Sequence, residues 1–284
     1  MKTLIYDEDQ VEEFYRRVIS SQERTEFDVD FFCIAARKKY MSEEEKQATR
    51  MGDTCMMEKT VVKKDDISLF MNKLHKVDAG LDWLTSNNGT RIPRSCMVFY
   101  MNINHTDMIY ALKGLKMDLA VLEGELFDCL KKKGLLENIG NKVKGLNTLV
   151  LKAYQNPSNV SNKTWIDIDF DVSPENFSFT EIKEVMSSLK FKEESYVVIQ
   201  TRGGYHILVN TPWISAYNKE YSKSFKEGEK FNKKGLLSVD KVISGLEKAL
   251  VGKGFEAKEI IINRNGMVPI PGTIQGGVRV RILK

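Results

Sequence analysis

The sequence predicts an α+β protein in which short strands alternate with amphipathic helices. Three observations carry this. Residues 164–170 read TWIDIDF, the period-two alternation of a strand with one apolar face. Residues 9–20, 67–77 and 239–251 space their apolar side chains three and four apart, as a helix with one buried stripe requires. The 284 residues are 42% apolar with only 6 Pro, enough to bury a core and too little turn chemistry for a fibrous or linker-dominated chain.

In the N-terminal half, Val11, Phe14, Tyr15, Val18 and Ile19 form the stripe of the first helix. Residues 27–36 (FDVDFFCIAA) begin by alternating and become apolar, which reads as a strand. Ile67, Phe70, Met71 and Leu74 mark a second helix, MVFYMNI (97–103) a strand, and residues 106–133 a long helix. The stretch 155–163 (QNPSNVSNK) has no periodicity and is the expected boundary, dividing the chain into an N-terminal α/β half, 1–155, and a second half, 156–284.

Downstream of the TWIDIDF strand, Ser178 and Glu181 have the spacing of a capping box. The helix they open buries Ile182, Val185, Met186 and Leu189. Strands follow at 195–201 and 205–209 across a Gly203-Gly204 connection, then the 239–251 helix. Short strands at 259–262, 267–270 and 278–283 close the chain. The order β-α-β-β-α-β is the layout of the RNA-recognition and ferredoxin-like class.

Charge is nearly balanced, 43 Lys+Arg against 39 Asp+Glu for a net +4, so composition alone does not call for a nucleic-acid partner. Basic residues do gather, at Arg37-Lys38-Lys39 among other places. No run of about 18 apolar residues exists and the N-terminus turns acidic, so neither a membrane partner nor a signal peptide is expected and the location should be cytoplasmic. The four cysteines lack paired spacing, which argues for reduced thiols and no zinc.

Three segments could carry chemistry. Alternation puts Asp167 and Asp169 on one face of their strand, and Asp171 continues it. Two carboxylates so placed raise each other's pKa unless a cation sits between them, and magnesium or manganese suits oxygen ligands. In TRGGYH, Arg202 offers a charged fork, Gly203 and Gly204 offer close-approaching amides, and His206 opens the next strand. The Gly- and Pro-rich segment 262–277, with Arg264 and Thr273, suits contact with a triphosphate or a nucleic-acid backbone.

Taken in order, these segments resemble the archaeo-eukaryotic primase (primase-polymerase) superfamily in its phage- and plasmid-type members. Ile166-Asp167-Ile168-Asp169 is similar to its hydrophobic-Asp-hydrophobic-Asp/Glu strand, Gly204-Tyr205-His206 to its Ser-x-His strand start, and Pro271-Gly272-Thr273 to its closing Pro-Gly-Ser/Thr segment. FFCIAARKKY (31–40) and the MVFYMNIN strand look like the amino-terminal half of such members. Glycine replaces the motif serine at 204, and no hydrophobic-Asp pair marks a third acid.

The resemblance implies an N-terminal α/β unit packed on an RRM-like unit with the active site in the cleft between them. The implied activity is template-directed synthesis of primers from NTPs or dNTPs with two Mg²⁺ or Mn²⁺ ions. Asp167 and Asp169 would hold the metals. Arg202, Gly203, Gly204 and His206 would bind the nucleotide, with Arg264 and Thr273 as further candidates. Arg37, Lys38 and Lys39 would meet a single-stranded DNA template. The implied protein partner is a replicative helicase, and the implied context prokaryotic, phage or mobile-element. For the third metal ligand Glu259 is preferred over Glu256, with Asn263 or no third ligand as the remaining options. Two other readings belong to other classes: a non-catalytic nucleic-acid-binding protein on the same scaffold, and a metal-dependent nuclease or phosphatase using the paired aspartates.

Overall fold

The computed structural model describes residues 3–62, 65–86, 88–131, 149, 152–154, 156–225, 232–256 and 262–284. It is an α+β structure with antiparallel sheets. In the first sheet the order is β2 (Thr54–Val62), β1 (Asp28–Arg37), β3 (Met97–Asn102), β9 (Met267–Pro269), with β4 (Thr106–Asp107) paired to the start of β1. Strand β1 is buried at every position but its last, which explains why its sequence alternates only at its start. Its Phe32 and Ile34 pack with Phe14 and Tyr15 of the N-terminal helical segment, where α1 (Glu8–Phe14) runs on as a π-helical turn through Ile19. Phe70 and Leu74 of α3 (Ile67–Gly80) complete that layer. Helix α2 (Glu43–Thr49) lies between β1 and β2, opened by a Ser42–Glu45 capping box. Helix α4 (Met108–Lys131) follows β4.

The second sheet has the order β12 (Arg281–Leu283), β6 (Tyr196–Gln200), β7 (Tyr205–Asn210), β5 (Trp165–Phe170), β8 (Ile262–Asn265). Ile168 and Phe170 of β5 and Ile207 and Val209 of β7 point into a core closed by α5 (Phe179–Ser188) and α7 (Val239–Gly252). The Ser178–Glu181 capping box forms as its spacing predicts. Trp165, Leu208, Val197 and Ile199 join the N-terminal core instead, and Trp165 Nε1 donates to the Val18 carbonyl at 2.9 Å. The sheet is therefore covered on both faces, which is what an apolar-rich central strand requires.

Several elements differ from the sequence reading. A helix not anticipated, α6 (Thr211–Lys223), stands between β7 and α7, opened by the Asn210 cap with Pro212 in its first turn. The last strand is two pieces: Val280 is buried and its N–H donates to Thr273, so β11 (Val278–Arg279) turns back on β10 (Ile274–Gln275) while β12 joins β6. Of the 259–262 strand only Ile262 lies within the described residues, and β8 runs from there to Asn265. The stretch 156–163 is tied down, with Ser161 N–H donating to the His105 carbonyl. Strand β9 reaches back across the expected boundary near residue 155 to complete the first sheet.

Candidate active site

Antiparallel pairing of β5 with β7 sets Asp169 opposite His206 and Asp167 opposite Leu208. Directly opposed residues share a face of the sheet, so the imidazole stands among the carboxylates. His206 Nδ1 is 2.9 Å from Asp167 Oδ2 and its Nε2 is 3.8 Å from Asp169 Oδ1. The Asp167 side chain is inaccessible while that of Asp169 is 35% exposed. Asp167 Oδ1 is buried and has no hydrogen-bond partner among the described residues. A buried carboxylate oxygen left unpaired is costly and calls for a partner.

Electrostatics follow from that placement. Burial pushes the Asp167 carboxyl up to about 6 against the attraction of His206, and the Asp169 charge adds to the rise. For His206 burial pulls the other way. The attraction and hydrogen bond of Asp167, with the charges of Asp169 and Asp171, outweigh it and hold the imidazole above its ordinary value. Two carboxylates stand beside one imidazole and the charge of Asp171 adds to theirs, so among these four groups the balance is negative.

Side chains from outside the second sheet reach the cluster: Arg37, already a candidate, and Tyr100 and Gln275, which the sequence did not single out. Tyr100, opposite Cys33 on the central strands, has its phenol raised by burial, with Arg37 opposing and Asp169 among the contributing charges. Arg37 Nη1 donates to the Tyr100 hydroxyl at 3.3 Å. Gln275 lowers the Tyr100 phenol against burial, and its Oε1 accepts the Arg202 backbone N–H at 3.1 Å. Tyr100 could have been noticed as the one hydroxyl in the otherwise apolar start of MVFYMN. Nothing local marks Gln275.

Arg202 is anchored: Nη1 donates to the Gly276 carbonyl and the guanidinium lies 5.1 Å from the Tyr40 ring centroid. At Gly204 a Cβ would sit 2.2 Å from the Phe170 carbonyl oxygen, and its N–H donates to Thr201 Oγ1 at 3.3 Å. The close approach of β5 excludes any side chain here, and the amide is already bonded within the turn. Gly203 is exposed beside Asp171.

Not every candidate joins the cluster. Thr273 is fully buried and its hydroxyl donates to the Ile270 carbonyl at 2.6 Å. The neighbouring Gly272 carbonyl accepts the N–H groups of Tyr6 and Asp7, so the Pro-Gly-Thr segment anchors the start of α1. Arg264 is in register with Ile168, not with either aspartate. Asn263 is the β8 residue in register with Asp169, and Asn265 with Asp167. Glu259 lies outside the described residues. Among the described residues no group of three or more His, Cys, Asp or Glu side chains is arranged to hold a metal. Arg37 ends β1, and Lys38 and Lys39 form the turn after it. No helix of the described residues is long and apolar enough to cross a membrane. Compared with family models, with curated proteins and with solved structures, the chain matches none.

Proposed function

We propose that the protein is a template-directed nucleotidyltransferase of the primase-polymerase type. One observation carries the reading. Two carboxylates and a histidine stand on the adjacent central strands of an antiparallel sheet whose four β-α-β-β-α-β strands run in the order β8-β5-β7-β6. By chain order that is 4-1-3-2, the RRM-like arrangement. Tyr100 and Arg37 approach from the first sheet, which supports an active site in the cleft between the two units.

The donor set fits a hard divalent cation. Asp167 Oδ1 is an orphaned buried oxygen, and the half-exposed Asp169 carboxylate stands two residues along the same face. Asp167 and Asp169 would hold Mg²⁺ or Mn²⁺, with Glu259 or Asn263 as further ligand candidates. When bound, the metal neutralises charge on the transferring phosphate and favours the deprotonated attacking oxygen.

The chain's own residues do the rest. His206 donates Nδ1–H to Asp167, which fixes the rotamer of that carboxylate and leaves Nε2 on the Asp169 side for the nucleotide phosphates. Arg202, held by Gly276 and Tyr40, adds a positioned positive charge. In the reaction the 3′-hydroxyl oxygen of the growing strand bonds to the α-phosphorus. The bond from that phosphorus to the oxygen bridging to the β-phosphate breaks. The hydroxyl proton passes to solvent water and pyrophosphate leaves.

Incubation with labelled NTPs or dNTPs, single-stranded DNA and Mg²⁺ or Mn²⁺ tests this. Extended products are expected from wild type and none from Asp169→Asn. No synthesis by wild type with any nucleotide or metal would reject the reading, and strand shortening would favour a nuclease.

A further inference from the structure

Beside the aspartate site, the turn after β1, helix α2 and the start of β2 enclose a pocket of about 380 Å³ lined by Arg37, Lys38, Lys39, Lys46, Asp53 and Thr54. Four cationic side chains thus line it against one carboxylate. Lys46 has a partner in Glu43 at 2.6 Å. Among the described residues no ion pair is made by Arg37, Lys38 or Lys39, and Arg37 Nε is buried without a hydrogen-bond partner. The walls are built. The Lys38 N–H donates to the Asp53 carbonyl at 3.0 Å, and the Ser42–Glu45 capping box holds the helix that carries Lys46. Tyr40 joins the pocket to the site, its ring lying 5.3 Å from Lys39 Nζ and 5.1 Å from the Arg202 guanidinium. A Cβ at Gly276, where φ is +55°, would lie 2.7 Å from both Tyr40 and Arg202, so the junction is tightly packed.

Like charges held together repel unless an anion with several acceptor oxygens lies among them. We propose that this pocket binds a phosphate of the single-stranded DNA engaged at the Asp167–Asp169 site, an inference that rests on the nucleotidyltransferase reading. The phosphodiester is favoured over a nucleotide's polyphosphate because the pocket is open, with Lys39, Asp53 and Thr54 exposed on its rim. Lysine ammonium groups without directional forks suit a backbone that slides past.

The test uses the full chain and two probes, a fluorescent single-stranded oligonucleotide without a 5′-phosphate and inorganic tripolyphosphate. A Lys38→Gln/Lys46→Gln double variant is compared with Lys219→Gln/Lys223→Gln, which changes net charge equally on exposed α6 positions. The pocket variant is expected to bind the oligonucleotide about tenfold more weakly near 0.1 M salt, with the slope of log K against log salt shallower by about 1–1.5. The α6 variant and tripolyphosphate binding are expected to stay near wild type. Weakened tripolyphosphate with unchanged oligonucleotide binding would overturn the strand assignment in favour of a nucleotide phosphate. Equal behaviour of the two variants would overturn the site altogether. Melting temperatures establish folding, and each single variant carries part of the effect should the double one unfold. A wild type that binds through the pocket but never extends would reject the nucleotidyltransferase reading and leave the phosphate site standing.

Discussion

Among the described residues two buried aspartate–histidine pairs stand out, one anchored on β1 of the first sheet and one on β5 and β7 of the second, and their surroundings differ. Asp30 on β1 meets His105 Nδ1 at 2.7 Å, and Asp167 on β5 meets His206 Nδ1 at 2.9 Å. The contacts are alike and the surroundings are not. Asp30 is also paired with Arg24 at 2.5 Å and accepts the Tyr15 hydroxyl at 3.1 Å. Each pair keeps one buried atom without a hydrogen-bond partner among the described residues, His105 Nε2 beside Asp30 and the carboxylate oxygen Oδ1 of Asp167 itself, and Asp167 alone shares its histidine with a second carboxylate, Asp169. An aspartate–histidine hydrogen bond by itself therefore does not single out a site. What separates the pairs is charge balance: closed by arginine around Asp30, and left negative around Asp167.

The sharpest way to break this contrast is Asp167→Asn. Primer extension should be lost, while the metal-free fold should hold or gain thermal stability, because a desolvated charge disappears. A variant that extends like wild type in both Mg²⁺ and Mn²⁺ would place the chemistry elsewhere.

Asp30→Asn should do the opposite, costing about 3–5 kcal/mol in urea unfolding because Arg24 and His105 lose their buried counter-ion. A midpoint that matches wild type would mean that the Asp30 contacts do not hold the fold together.

A smaller effect lies in pH. The unfolded chain releases the Asp167 proton near the ordinary carboxylate value of about 4, whereas the folded protein keeps it to about 6. Folding stability of metal-free protein should therefore fall as pH rises from about 4 to about 6, by about 3 kcal/mol. His206 acts in the same direction. Its raised folded value adds stability that is fully present below about 6.5 and is lost as pH climbs from there through the higher folded value. Subtracting the Asp167→Asn stability profile isolates the pair. A flat difference between pH 4 and 7 would mean that the Asp167 carboxyl is not desolvated.

Least affected should be Thr273→Val. Its hydroxyl serves the Ile270 carbonyl inside the core, so the change should cost about 1 kcal/mol of stability and leave KM for nucleotide unchanged. A raised KM would return Thr273 to the nucleotide side.

Much of the site could be read from the chain alone, because its logic is local. Period-two alternation in TWIDIDF puts Asp167 and Asp169 together whatever the rest of the fold does, and Ile168 and Phe170 enter the opposite core as that pattern demands. The Ser178–Glu181 box, too, needs only a four-residue segment. Other features depend on segments far apart in sequence. The charge of Asp169 is felt at Tyr100 of the other sheet, and Gln275 reaches Arg202 only because β10 and β11 fold back beside the turn after β6.

By itself, then, the sequence determined the α+β class, the carboxylate face and the histidine strand, since side-chain direction in a strand follows from backbone geometry. Tertiary structure alone decided that Gly204 is pressed against Phe170, that Thr273 is a core residue, and that the Asp30 pair is neutralised while the Asp167 pair is not. Burial and charge balance are sums over neighbours brought in from elsewhere in the chain, and no local spacing encodes such sums.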